Sequence, residues 1–423
     1  VPSSADAVER SLALIEALDG ELAAWVEVDV DGARAAAKEA IAGPLAGVTV
    51  GIKDIIDVAG LPTRLGAGDF AHYRPARDAT SVARLRGAGA IILGKTHTTE
   101  FAFLDPAPTR NPWNLLHTPG GSSSGSAAAV GSGMAPLALG TQTIGSVIRP
   151  AAYCGIVGLK PTFGLISYAG ANALAPSFDH VGVLCRSVDD AALALSVLAG
   201  HDAADPKSID APVEDYLGAL GRTPAPRIGI VRAYYRAECG DDVSRHLEAV
   251  AERLSAAGAT VVDAPMPADA AGFRAAGEAV MRFEAAQVHR ERYAQHKDGY
   301  RQGIRNLVEA GLATSETEYE ASRKAVRELR AGLIRDLQGF DAFLLPCAPT
   351  TAPASIETTG QGIFCAPASF AGLPAISLPS GLNAAGMPYA VQLIAGPLAE
   401  ARLLAAAAWI ERVLDFTERP SLP

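Results

Sequence analysis

Residues 120–158, GGSSSGSAAAVGSGMAPLALGTQTIGSVIRPAAYCGIVG, limit the fold of this chain more than any other stretch. Glycines and serines open it, but an apolar run with Met134, Leu137 and Leu139 follows at once. A flexible linker would stay polar and would carry no buried-type strand. Small side chains here let backbone pack on backbone and approach a ligand closely. Taken alone, the stretch also fits a glycine-rich core turn with incidental serines.

Two further segments narrow the choice. Upstream, GPLAGVTVGIKDIIDVAG places Lys53 at the end of a β-branched apolar run. Downstream, Ser146 follows Ser122 by 24 residues and leads into Arg149-Pro150. Together GIKD, GGSSSGSAAAV, the second serine, PAAYCG and GLKPTFG resemble the amidase signature family. The likeness is densest over residues 43–182, and FLLPCAPTTAP and FAGLPAISLPSG extend it weakly to the C-terminal part. The resemblance implies an α/β fold, with a mixed β-sheet core flanked by α-helices on both faces. It implies a Ser-cisSer-Lys triad of Ser146 as nucleophile, Ser122 as bridge and Lys53 as base. It implies an oxyanion hole made by the backbone N–H groups of Thr143, Ile144 and Gly145. On the residues alone, Lys53 could equally pair with Asp54 or Asp57.

The chemistry agrees with these residue types. An amide is a poor electrophile with a poor leaving group, so its cleavage needs an activated nucleophile, an oxyanion site and a proton donor. A lysine serves as base only when neutral, which burial favours.

Two departures from the family text stand out. The commonest pattern has two glycines before the nucleophile, whereas this chain has Ile144-Gly145. That puts the geometry of the oxyanion hole in question, because isoleucine does not freely adopt positive φ. The usual GTDTGGSIRxP reads GTQTIGSVIRP here, so Gln142 stands in place of an acid and Arg149 lies three residues after Ser146. This form resembles the malonamidase-type branch, which implies Arg149 and Gln142 as substrate-binding residues. A guanidinium offers a planar fork for a carboxylate. The alternative is an internal ion pair at Arg149.

The resemblance carries no cofactor and no metal. His97 with Glu100 is too little for a metal site and fits a polar core or loop contact. The expected activity is an amidohydrolase acting on a small, carboxylate-bearing amide. The competing readings are the glutaminase-type subunit of a tRNA-dependent amidotransferase, and a catalytically silent binding protein of the same fold. The expected partners are a small-molecule amide and, by family analogy, a second copy in a homodimer. A net charge of −10 without a basic block argues against direct nucleic-acid binding. No apolar run is long enough to span a membrane. The five scattered cysteines suggest no disulfide framework and no zinc site, which makes a cytoplasmic location the default.

Along the chain, residues 4–18 read as an amphipathic helix with Ser4 as N-cap. Helix and strand then alternate to residue 198, and a region dominated by charged helices follows over 202–339, with short strands expected at 227–231 and 259–262. Within it His289 and His296 read as surface histidines. Core strands resume over 340–423, so one discontinuous domain, 1–423, is expected, with its signature core at 43–182.

Overall fold

The computed structural model describes residues 3–39, 41–221, 224–265 and 270–422. Eleven strands join in one mixed sheet. They are β1 (Trp25–Val28), β2 (Thr49–Lys53), β3 (Ile91–Thr96), β4 (Leu137–Gln142), β5 (Val157–Lys160), β6 (His180–Cys185), β7 (Arg227–Ile230), β8 (Thr260–Asp263), β9 (Ala342–Pro346), β10 (Ala375–Leu382) and β11 (Pro388–Ile394). Their order is β1-β3-β2-β4-β6-β5-β10-β11-β9-β7-β8. β2 runs parallel to both β3 and β4, and β7 runs parallel to β8 and β9. The central strands β4, β6, β5, β10, β11 and β9 pair antiparallel.

Side chains alternate across this sheet, as the period of two requires. Leu137, Leu139 and Ile92 join one apolar cluster with Val82, Val188 and Leu403 from the helices Thr80–Gly87, Val188–Leu198 and Glu400–Leu414. Ala138 and Leu184 face the other way, onto Ala127 and Val130 of the helix Ser124–Gly131. Ile91 and Leu93 also face that way, onto Val8 and Ile15 of the helix Ser4–Leu22. Both faces of the sheet are therefore covered, which explains why β4, β5, β6 and β9 are buried along their whole length.

The small residues of the 120–158 stretch have a packing reason. At Gly125 an added Cβ would fall 2.1 Å from the Ala24 carbonyl oxygen and 2.4 Å from the His97 nitrogen. The helix Ser124–Gly131 is wholly buried and lies directly on the sheet.

Two local expectations change. The first helix is capped by Ser3, whose hydroxyl accepts from the Asp6 N–H in a capping box, and not by Ser4. His289 is buried, with Nδ1 2.9 Å from the Tyr300 hydroxyl and Phe101 edge-on to its ring; only His296 is exposed. The two strands expected within the charged region are present as β7 and β8 and belong to the sheet.

Candidate active site

The site lies beyond the C-terminal ends of the adjacent parallel strands β2 and β4, where open α/β sheets offer a crevice. Lys53 ends β2 and is fully buried. Its Nζ lies 2.7 Å from Ser122 Oγ, 2.8 Å from Thr141 Oγ1 and 3.4 Å from the Thr141 carbonyl oxygen. No acid pairs with it among the described residues, because Asp54 binds Lys95 at 2.9 Å. Burial therefore pushes the Lys53 ammonium well below the usual lysine range, opposed only by the field of Asp179. A neutral Lys53 has two N–H bonds, which match the two Thr141 acceptors. Its lone pair is then left facing the Ser122 hydroxyl.

Ser122 follows a cis Gly121–Ser122 peptide bond and is fully buried. Ser146 sits in the turn between β4 and the helix Ile148–Tyr153. It is the member of the three that lines the main cavity, of about 450 Å³. The Ser123 N–H donates to the Ser146 carbonyl at 3.3 Å, tying the two serine segments together. No hydrogen bond joins the Ser122 and Ser146 hydroxyls directly among the described residues.

Thr143, Ile144 and Gly145 also line this cavity. None of their N–H groups has an acceptor among the described residues. Ile144 does not adopt positive φ, so its side chain is accommodated without the conformation that glycine would permit. The Thr143 hydroxyl donates to Asp179 Oδ1 at 2.6 Å, and Asp179 Oδ2 accepts the N–H groups of Leu174 and Ala175. Burial raises the Asp179 carboxyl to about 7.

Gln142 does not reach the cavity. It is fully buried beneath the turn, where its Oε1 accepts the Val147 and Ile148 N–H groups and its Nε2 donates to Ser369. Both ends of its amide are used inside the protein, so substrate binding by Gln142 is replaced by support of the turn. Arg149 lines the cavity while nearly buried. Among the described residues it makes no ion pair. Its NH2 donates to the Gly121 carbonyl at 2.7 Å and to Thr359 Oγ1 at 3.3 Å, its NH1 donates to the Gly360 carbonyl at 3.1 Å, and Nε is left without a partner. The far wall comes from the helical region, with Arg274, Glu278, Met281, Arg282 and Leu307.

Sequence reasoning missed Thr141, Asp179 and Ser369. Each acts on the site through one hydroxyl or carboxylate, and nothing in its local sequence marks that contact. His97 and Glu100 belong to no metal cluster; none is present among the described residues. No helix among them is long and apolar enough to cross a membrane.

A buried lysine in contact with a buried serine, with a second serine facing the cavity, thus stands on a mixed α/β sheet. The chain belongs to the Amidase family, the amidase signature family, whose model matches residues 6–404. It is 38% identical to a subunit of the glutamyl-tRNA(Gln) amidotransferase of Anaeromyxobacter dehalogenans (strain 2CP-C), over 100% of this chain and 95% of the relative. A solved structure described as a vestigial protein complex that reveals the origins of an s-triazine catabolic enzyme superimposes with a TM-score of 0.92. It shares 30% identity and covers 100% of this chain and 97% of its own. The 6-aminohexanoate cyclic dimer hydrolase superimposes with a TM-score of 0.90 at 27% identity, over 99% of this chain and 96% of its own.

These relatives overturn the expected partners. A small-molecule substrate and a homodimer do not fit relatives that are one subunit of an enzyme named for glutamyl-tRNA(Gln). The expectation failed for a physical reason: a transient protein interface is about as apolar as the rest of a surface and leaves no motif.

Proposed function

We propose that this chain cleaves an amide C–N bond through a seryl acyl-enzyme, as the ammonia-releasing subunit of an amidotransferase-type assembly. The observation that carries the chemistry is the 2.7 Å contact between Lys53 Nζ and Ser122 Oγ, fully buried and with no acid paired to Lys53 among the described residues. The relay requires the Ser146 hydroxyl to hydrogen-bond that of Ser122. Ser146 Oγ then attacks the amide carbonyl carbon; its proton passes to Ser122 Oγ as the Ser122 proton passes to Lys53 Nζ. The N–H groups of Thr143, Ile144 and Gly145 receive the oxyanion. Collapse breaks the C–N bond, and the leaving nitrogen takes a proton back through the same relay. Water attacks the ester at Ser146 by the same path and releases the acid.

The donor is an amide carrying a carboxylate, with the glutamine side-chain amide as the first case to test. Arg149 supports this, because its cavity-lining guanidinium has no acid partner and an unpartnered Nε. Similarity to the amidotransferase relatives over the whole chain supports a protein partner that holds the tRNA-linked acceptor of the ammonia. A second reading, a free-standing hydrolase, is favoured by the likeness to a cyclic dimer hydrolase.

The test is ammonia release from glutamine and from other carboxylate-bearing and neutral amides, with Ser146→Ala as the blank. The enzyme is assayed alone and with whatever chain co-purifies from its source. Glutamine turnover that rises with a co-purifying chain supports the first reading. Turnover of other carboxylate-bearing amides by the chain alone supports the second. No Ser146-dependent ammonia from any amide defeats both.

A further inference from the structure

The oxyanion turn is held from behind by two side chains that do not touch the cavity. Gln142 and Ser369 are both fully buried. Gln142 Oε1 accepts the Val147 N–H at 2.8 Å and the Ile148 N–H at 2.9 Å. Its Nε2 donates to Ser369 Oγ at 2.9 Å. Ser369, on the helix Ala366–Phe370, lies 2.6 Å from the Ile144 carbonyl oxygen and donates to it.

The direction of each bond follows from the groups themselves. An amide NH₂ only donates and a carbonyl only accepts, so the Ser369 hydroxyl accepts from Gln142 and gives its one proton to Ile144. The Ile144–Gly145 peptide is trans. In a trans peptide the C=O and the following N–H point to opposite sides. Holding the Ile144 oxygen at the back of the turn therefore turns the Gly145 N–H toward the front, where Gly145 and Ser146 line the cavity.

We propose that Ser369 is a positioning residue for the oxyanion hole, with its direction of donation set by Gln142. The proposal rests on Ser146 being the nucleophile. It also gives the glutamine at position 142 a reason. A carboxylate there could still accept the Val147 and Ile148 N–H groups, but it could not donate. It would instead draw the Ser369 proton to itself and release the Ile144 carbonyl. A neutral amide, which accepts on one side and donates on the other, keeps that proton on Ile144.

The experiment compares wild type with Ser369→Ala, Gln142→Glu, the double variant and Ser369→Thr. A fluorophosphonate first reports whether Ser146 is the labelled residue in wild type. Turnover of p-nitrophenyl butyrate then gives kcat and KM. Affinity for butaneboronic acid, which forms a tetrahedral adduct, is set against affinity for butyrate, which does not.

Ser369→Ala and Gln142→Glu should each lower kcat by about tenfold or more, with KM little changed. Boronate affinity should fall in parallel and butyrate affinity should hold. The double variant should be no worse than the weaker single one, because both break one chain. Ser369→Thr, which keeps the hydroxyl, should retain most of the activity. If Ser369→Ala does not fold, Gln142→Glu reads the same split without creating a void.

Unchanged kcat in a variant whose Ser146 still labels overturns the brace and leaves the nucleophile standing. Equal losses for boronate and butyrate, or additive losses in the double variant, overturn it too. A wild type that does not label at Ser146 defeats the brace together with the proposed function.

Discussion

Asp54, the next residue after Lys53, turns its carboxylate to Lys95 at 2.9 Å and leaves Lys53 without an acid. The two lysines lie on the neighbouring parallel strands β2 and β3, and both are fully buried. Lys95 has the carboxylate that a buried ammonium requires. Lys53 has hydroxyls and a carbonyl instead, so burial favours its neutral form. The base of the relay is thus prepared by directing the nearest acid elsewhere.

From this follows the pH dependence of acylation. A general base works only when unprotonated, so kcat/KM should rise with pH through the lowered Lys53 value and flatten above it. Lys53→Met should remove activity by about three orders of magnitude or more, since nucleophile activation is lost with it. For stability the sign is separate. Native Lys53 gives up its proton below the pH at which the unfolded lysine does, so the unfolded chain binds more protons in that interval and stability rises with pH there. Lys53→Met should lose this slope. Chemical denaturation at several pH values, beside kcat/KM profiles, checks both; a wild-type profile flat down to acid pH would refute the base assignment.

The two serines should fail differently. Ser146→Ala cannot form an ester and should fall to the uncatalysed background. Ser122→Ala keeps the nucleophile but breaks its link to Lys53, a loss of about 10²–10⁴ in rate typical of general-base removal. Mass spectrometry during turnover should find acyl-enzyme on Ser146 in Ser122→Ala, formed slowly, and none in Ser146→Ala. An acyl group found elsewhere would refute the assignment.

Arg149 links the cavity to the Gly121 carbonyl, so its removal should be read on two kinds of substrate. Arg149→Lys keeps a charge but loses the planar spread of donors that reaches Gly121, Thr359 and Gly360 at once. If the guanidinium receives a carboxylate, kcat/KM for carboxylate-bearing amides should drop by about 10–100-fold, the range for a lost charged hydrogen bond. Neutral amides should change far less. Equal losses on both kinds would leave Arg149 as support for the Gly121 segment alone.

Legibility in the sequence tracked how much of each function is local. Lys53, Ser122 and Ser146 were singled out by the likeness of their short runs to the amidase signature family; on the residues alone, Lys53 fitted a pair with Asp54 or Asp57 as well, and the serines fitted a core turn. Thr141 lies inside the same text, yet its role appears only when Lys53 Nζ is seen 2.8 Å away. Ser369 bonds to Ile144 across 225 residues of chain, and no spacing rule connects them. Gln142 was noticed as unusual and given the wrong task, because a sequence does not say which way a side chain points. The helix Gln302–Ala313 lies within the charged helical region expected over 202–339 and carries Gly303 and Gly311. Gly311 is not a break: an added Cβ would fall 1.9 Å from the Arg282 carbonyl oxygen, so close helix packing requires it. That packing helps place the cavity's far wall.

Glu100 offers a test of how that wall is held. Its carboxylate is buried, with Oε2 accepting the Arg301 N–H at 3.0 Å and Oε1 without a partner. Asp105 lies close by and accepts the N–H groups of Gly303 and Ile304 at the start of the helix Gln302–Ala313. Burial, with help from Asp105 and against Arg301 and Arg305, raises the Glu100 carboxyl to about 7 from its ordinary 4.5. Between those values the native carboxyl holds its proton while the unfolded one has lost it. Stability is therefore lost as pH rises through this window and is level above it. Glu100→Gln keeps the acceptor for Arg301 and cannot ionise. The variant should match wild type in thermal midpoint near pH 4, exceed it near pH 8, and retain amide turnover, since Glu100 lies outside the reacting groups. A wild type that gains nothing from the glutamine at pH 8 would mean that the carboxylate is solvated or compensated, and that the segment joining β3 to the cavity wall is looser than its burial indicates.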